Sequence, residues 1–285
     1  VSIFLRVAYD GTDFHGFARQ ADRPDGTPTR TVQGQLEATL AQLYGQPVLT
    51  RGASRTDAGV HARGQLVAFD PPLPIPADGV AKAVAGRLPP DVAVTAAWIE
   101  PVGDPRRDNL GKHYRYRIRC TRAGSPLTDR FAWPYGRRLD GPAMHAAAQV
   151  LVGEHDFASF RAAGCQAATT VRHLSRVEVR WMAAQATIGG DPGALDPAPR
   201  DDDWVEIDVE GTAFLYNMVR IIAGSLVEVG RGRHDPAWIR SLLSTPDRNA
   251  AGPTAPACGL TLMEVRWPHA QTTRGAAPQG GHASS

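Results

Sequence analysis

Residues 52–64, GASRTDAGVHARG, crowd Arg55, Asp57 and His61 among glycines and alanines. Neighbours that small let another molecule approach the backbone closely. A guanidinium beside Asp57 favours the charged carboxylate, and an ionised Asp suits a nucleophile better than a general acid. By shape alone, the same residues also make a surface turn built on Asp-Ala-Gly. A second candidate lies in AFLYNMVRIIAGSLVEV, residues 213–229. Phe214, Leu215, Met218, Val219, Ile221, Ile222 and Leu226 make that segment apolar on most sides, as a buried helix would be. Arg220 sits in its middle, and the residues three and four away are Tyr216, Asn217, Ala223 and Gly224, none of them acidic. A buried guanidinium without a counter-ion is costly. Either Arg220 snorkels to water or a carboxylate reaches it from elsewhere. Asp57 lacks a fixed cation and Arg220 lacks an anion, so the two are expected to pair across a cleft.

The strand KHYRYRIRCT places Lys112, Tyr114, Tyr116, Ile118 and Cys120 on one face, and His113, Arg115, Arg117, Arg119 and Thr121 on the other. Tyrosines facing a cleft beside basic residues suit an unstacked base, although tyrosine also serves as plain core filler. The strand belongs to a basic block. Residues 104–138 hold ten Lys/Arg against three Asp, while residues 189–210 hold eight Asp/Glu against one Arg. A net charge of +2 therefore hides two strongly charged segments. A local basic block can bind a polyanion at near-zero net charge; solvated strand faces are the plainer alternative. The GEHDF segment, 153–157, reads as a helix end at Gly153 followed by a turn at Asp156, not as a metal site. Cys120, Cys165 and Cys258 stand singly, without zinc spacing or a disulfide framework, which fits a reducing cytoplasm. Arg6 interrupts the apolar N-terminal run, which reads as a strand and not a leader. Asn217 and Arg220 argue against a membrane span in the most apolar stretch.

The elements that must hold these residues come in a repeated order. Strand 2–9, helix 32–44, strands 48–52 and 65–69, helix 77–87 and strand 92–99 make the first half. Strand 112–121, helix 141–152, strands 173–182 and 204–209, helices 213–229 and 236–243, and strand 260–267 make the second. In the first helix Leu36, Leu40 and Leu43 recur at i, i+4 and i+7, one buried face. Each half reads β-α-β-β-α-β, so the expected fold is α+β: two pseudo-repeated ferredoxin-like halves with mixed or antiparallel sheets around a central cleft. The expected domains are 1–103, carrying the Asp loop, and 104–268. Residues 20–30 and 189–203 read as loops, and 269–285 as a disordered tail.

With these residues in place, the chain resembles the tRNA pseudouridine synthase A family over nearly its whole length to Pro268. The likeness runs through YDGTDFHGFARQ, TVQGQLE, SRTDAGVHARGQ, HYRYRI, LVGEHDFASFRAAGCQ, AFLYNMVRIIAGSLVEVG and GLTLMEV. It implies an isomerase that converts uridines at positions 38 to 40 of the tRNA anticodon stem-loop to pseudouridine. The family acts as a cytoplasmic homodimer sharing one tRNA, with no cofactor and no metal. It implies Asp57 as the catalytic aspartate, Arg55 as the residue that flips the target nucleotide, Tyr114 as the ring against the uracil, and Arg220 as the partner of the aspartate. Arg106, Arg107, Arg122 and Tyr135 are the further expected RNA contacts. A non-catalytic tRNA-binding protein of the same fold is the alternative. Ser54 stands where the family has Gly, the tryptophan of the FxGW pattern is missing from FHGFARQ, and DPRRDNLG replaces the family's usual approach to HYRYR. The 189–203 insertion is a further difference.

Overall fold

The computed structural model describes residues 1–22, 24–101, 103–122, 124–182 and 204–268. The expected loop at 189–203 and the tail at 269–285 lie outside the described residues. The first half comprises β1 (Ser2–Tyr9), α1 (Val32–Tyr44), β2 (Thr50–Gly52), β3 (His61–Phe69), α2 (Ala77–Ala85) and β4 (Val92–Glu100). The second comprises β5 (Gly111–Arg119), β6 (Trp133–Pro134), α3 (Gly141–Gln149), β7 (Gly153–Asp156), β8 (Val171–Met182), β9 (Trp204–Gly211), α4 (Met218–Gly230), α5 (Ala237–Ser244) and β10 (Leu260–Arg266). Local chemistry fixes the ends of α1. Thr31 accepts a hydrogen bond from the Gly34 N–H at 3.2 Å, and Gly45 closes the helix in the left-handed region at φ 69°. Leu36 and Leu40 are fully buried, each stabilising the fold by about 1.5–3 kcal/mol.

The strands form one mixed sheet in the order β4-β1-β3-β10-β5-β9-β8-β7, with β2 beside β3 and β6 beside β5. Counting four main strands per half, β4-β1-β3-β2 and β10-β5-β9-β8 follow the same ferredoxin-like order. The halves join edge to edge through a short parallel pairing, Thr261 with His61 and Leu262 with Ala62. That junction shapes the site. One edge of β3 is shared: β2 takes Val67–Phe69, β10 takes His61 and Ala62. The chain between Gly52 and His61 is thus pushed off the sheet at the seam between the halves.

Three expectations shift. β3 begins at His61, four residues before the expected start at Gln65, because β10 supplies a partner for its first residues. Gly153 at φ 110° opens β7, an edge strand on β8, in place of the expected helix end; Asp156 does accept a turn bond from Ala158 N–H at 3.0 Å. α4 begins at Met218 and not at Ala213, since Asn217 is left-handed at φ 59°. The apolar pattern runs on through residues 213–217 because that loop is packed too.

Candidate active site

The 53–60 loop is held by chemistry on both sides. The Gln65 carboxamide, fully buried, donates to Ser54 O at 2.7 Å and accepts from Ser54 N–H at 3.1 Å, extending the β2–β3 ladder by a side chain. Opposite, residues 11–17 press on the loop backbone. Phe17 N–H donates to Thr56 O at 3.0 Å, and Gly11 N–H donates to His61 Nδ1 at 3.0 Å. A Cβ on Gly11 would lie 1.9 Å from Val60 O, and one on Gly16 (φ 99°) would lie 2.8 Å from Thr56 O. Only glycine fits either place. His61 is buried against Phe131, and burial lowers its pKa, so it ties the two loops together as a neutral ring.

Asp57 emerges from this loop toward α4. Arg220, in the first turn of α4, donates from Nη1 to Asp57 Oδ2 at 3.2 Å and to Asn217 Oδ1 at 3.0 Å, and from Nε to Ala255 O at 2.8 Å. Both partners of the ion pair are mostly withdrawn from water, with side-chain exposures of 17 % and 21 %. Burial raises the Asp57 pKa, and the Arg220 charge and hydrogen bond pull against that rise without cancelling it. A cation does favour the charged form of Asp57, as expected, but desolvation is the larger influence. Among the described residues, no group of three His, Cys, Asp or Glu is arranged to hold a metal ion.

Asp57 opens onto a cleft of about 570 Å³ that spans the seam, from the 53–60 loop across Tyr114 and Leu260 to the 213–217 loop and the start of α4. Tyr114 forms part of its wall. Phe214 meets its ring edge-on at 5.0 Å, and its hydroxyl is hydrogen-bonded to Ser54 Oγ at 2.7 Å. Burial, with the nearby Asp57 charge adding to it, pushes the tyrosine up to about 12 although the Ser54 bond opposes the shift. Tyr116, two residues on, is fully buried, donates to Pro256 O at 2.8 Å and does not reach the cleft. Arg55, Arg106, Lys112 and Arg172 line the same cleft, against the single carboxylate of Asp57.

The structure thus brings Asp57, Arg220, Tyr114, Arg55 and Arg106 together. Arg107, exposed beside Arg106, is not in the lining. Arg122 and Tyr135 are not either. β5 leaves the cleft at Tyr114, and Tyr135 is bonded to the backbone of Arg119 at the strand's far end, its ring packed on Trp133. β5 runs five residues past Tyr114, roughly 16 Å, before the chain turns toward Arg122. The β5 arginines are paired within the protein, although Arg115 and Arg117 stay partly exposed. Arg115 and Arg117 bind Asp208 and Glu206 of β9, and Arg119 binds Asp129. Ser54 as a ligand of Tyr114, Gln65 as a loop brace, and Asn217 and Ala255 as holders of Arg220 are not apparent from the sequence. Only Asn217 left a local signal, since asparagine tolerates the left-handed conformation.

Comparison with known proteins agrees with this arrangement. The family model for tRNA pseudouridine synthase matches residues 6–104 and 147–268, which include the Asp57 loop and all of α4. A Myxococcus xanthus protein named tRNA pseudouridine synthase A is 43 % identical over 262 residues, covering 92 % of this chain and 90 % of that one. Its namesake from Geobacter sulfurreducens is 41 % identical over 267 residues, covering 93 % and 99 %. Another from Methylobacterium nodulans is 39 % identical over 268 residues, covering 93 % and 96 %. On the family model and on identities of this extent, the chain belongs to the tRNA pseudouridine synthase family.

Proposed function

We propose that this chain isomerises uridines at positions 38 to 40 of the tRNA anticodon stem-loop to pseudouridine, with Asp57 as the nucleophile. The observation that carries the reading is the Asp57–Arg220 pair beside Tyr114 in a cleft whose other charged lining residues, among those described, are cations. The reaction breaks a C–N glycosidic bond, turns the uracil and closes a C–C bond, so substrate and product have the same atoms and the same oxidation level. A carboxylate can add to uracil C6 or to sugar C1′ and later depart. Either route needs the group charged and partly desolvated, as Arg220 and the loop hold it. The target base must leave its stack, at a cost of a few kcal/mol that is least near a loop. Arg55, exposed in the same loop, is placed to fill the vacated stack, and Tyr114 to bound the uracil. Residues 1–103 then form the domain that brings the nucleophile, and 104–268 the one that brings Tyr114 and Arg220. Family resemblance supports a cytoplasmic homodimer as the working form; no helix among the described residues is long and apolar enough to cross a membrane.

The test is to map pseudouridine in unmodified tRNA transcripts treated with the wild-type protein and with Asp57→Asn. Conversion at 38–40 by the wild type, lost in a variant that still binds tRNA, is the expected result. Binding without conversion by the wild type would leave a tRNA-binding protein and overturn the proposal. So would more than a few per cent of the wild-type rate in Asp57→Asn.

A further inference from the structure

Arg172 is an unusual arginine. It is half-buried in the cleft wall contributed by β8, and among the described residues no ion pair holds it. Its Nη1 donates to two backbone carbonyls, Thr169 O at 2.9 Å and Val171 O at 2.6 Å, while its Nε–H is buried without a hydrogen-bond partner. Neutral carbonyls fix the direction of the guanidinium but leave its charge uncompensated. A buried N–H without a partner calls for one. A guanidinium whose charge carbonyls leave uncompensated is the group that pairs with a phosphate.

Lys112 completes the picture from the other side. Lys112 and Leu174 are both in register with Gly211, the last residue of β9. Lys112 shares a face with Tyr114, and Arg172 shares one with the buried Leu174, by strand alternation. Two strand spacings and two residues of rise put the Cα atoms of Lys112 and Arg172 roughly 12 Å apart. Between them a Cβ on Gly211 would stand 2.7 Å from His173 O, 2.8 Å from Leu174 Cδ2 and 3.3 Å from Phe214 Cζ, so the trough floor is apolar and adds no carboxylate. Among the described residues Lys112 also has no carboxylate partner, and burial, with Arg106 nearby, lowers its pKa to about 8. Such an ammonium lacks only an anion.

We propose that Arg172 and Lys112 form a phosphate-binding subsite that grips the RNA backbone next to the flipped nucleotide. The inference rests on the tRNA reading above and adds the residues that seat the strand. Neither side chain touches the reacting base; both position it.

The test measures binding of an unmodified tRNA transcript across a salt series, with Asp57→Asn as the background that prevents turnover. Arg172→Gln and Lys112→Gln are each expected to weaken binding about 10-fold, and to flatten the plot of log affinity against log salt by about 0.7–0.9 per lost phosphate. Arg172→Lys should keep the slope, since it keeps the charge. In the otherwise wild-type protein, Arg172→Gln should raise KM while single-turnover kcat at saturating tRNA changes less than about 2-fold. A purely structural Arg172 would instead lower Tm and kcat with the slope intact, and that outcome overturns the proposal. Should Arg172→Gln fail to fold, an unchanged slope in Lys112→Gln overturns it equally. Absence of pseudouridine with the wild type, alongside the expected slope changes, would sink the isomerase reading and leave the subsite standing.

Discussion

Asp57 is pulled in two directions. Withdrawal from water raises its pKa, and Arg220 opposes the rise only in part. The sign fixes the acid side of the pH–rate profile. A protonated carboxyl is no nucleophile, so activity should fall with decreasing pH at a value above the ~3.9 of an ordinary aspartate. Arg220→Gln removes the lowering influence, and the acid limb should then move further up, besides any loss of maximal rate. Single-turnover rates between about pH 4 and 8 read both limbs. A limb in Arg220→Gln at or below that of the wild type would show that Arg220 does not tune Asp57. The pairing itself was legible from complementary needs: an apolar helix holding an arginine without a nearby acid, and a small-residue loop holding an aspartate. The direction of the Asp57 shift was not, because desolvation depends on how deeply a loop is packed, and loop depth has no periodicity to read.

At the scale of elements, the site depends on two close approaches that small residues permit. The loop lies against residues 11–17 through Gly11 and Gly16. α4 lies against residues 252–255 through Gly224: a Cβ there would fall 1.8 Å from Pro253 O and 3.6 Å from Ala255 N. That second contact presents Ala255 O to the Arg220 Nε–H, and Ala255 N–H returns a bond to Arg220 O at 3.1 Å. In an ordinary helix interior Gly→Ala stabilises by about 1 kcal/mol. Gly224→Ala should reverse that sign, displacing residues 253–255 and loosening Arg220, so that Tm and kcat fall together. A variant as stable and as active as the wild type would show that the 253–255 segment gives way without cost and does not hold Arg220. The α4 pattern in the sequence announced a buried helix correctly. It could not announce Asn217 as its left-handed boundary or Gly224 as a seat for a distant segment, since both are set by what packs on the helix. The strand order of the two halves was legible for the opposite reason. It follows from alternation and element order, which are local.

Across the whole molecule, the basic stretch meets the described end of the acidic one, residues 204–210. β5 and β9 are antiparallel neighbours, with Arg115 directly opposite Asp208 and Arg117 opposite Glu206. β8 adds Arg180 to the same two acids and Arg176 to Glu210, which Arg266 of β10 also binds. The fully buried Asp208 shows how tight this network is. Burial alone would raise its pKa, yet His113 and Arg115 hold it down at about 2. Arg115, Arg117 and Arg119 of the basic block are therefore paired inside the protein, and its density in the sequence overstates the charge it offers to RNA. Arg55 and Arg106, by contrast, stand at the cleft. Arg55→Gln and Arg106→Gln should each flatten the salt dependence of tRNA binding by about 0.7–0.9. Arg117→Gln should leave that slope unchanged and lower stability by no more than about 1 kcal/mol, since its 39 %-exposed side chain makes an ion pair that water and salt already weaken. The comparison is internal to one protein and one RNA, so errors in absolute affinity cancel. Equal slopes for Arg117→Gln and Arg55→Gln would mean that the β5 ladder opens to receive RNA, and that the cleft is not where the strand is held.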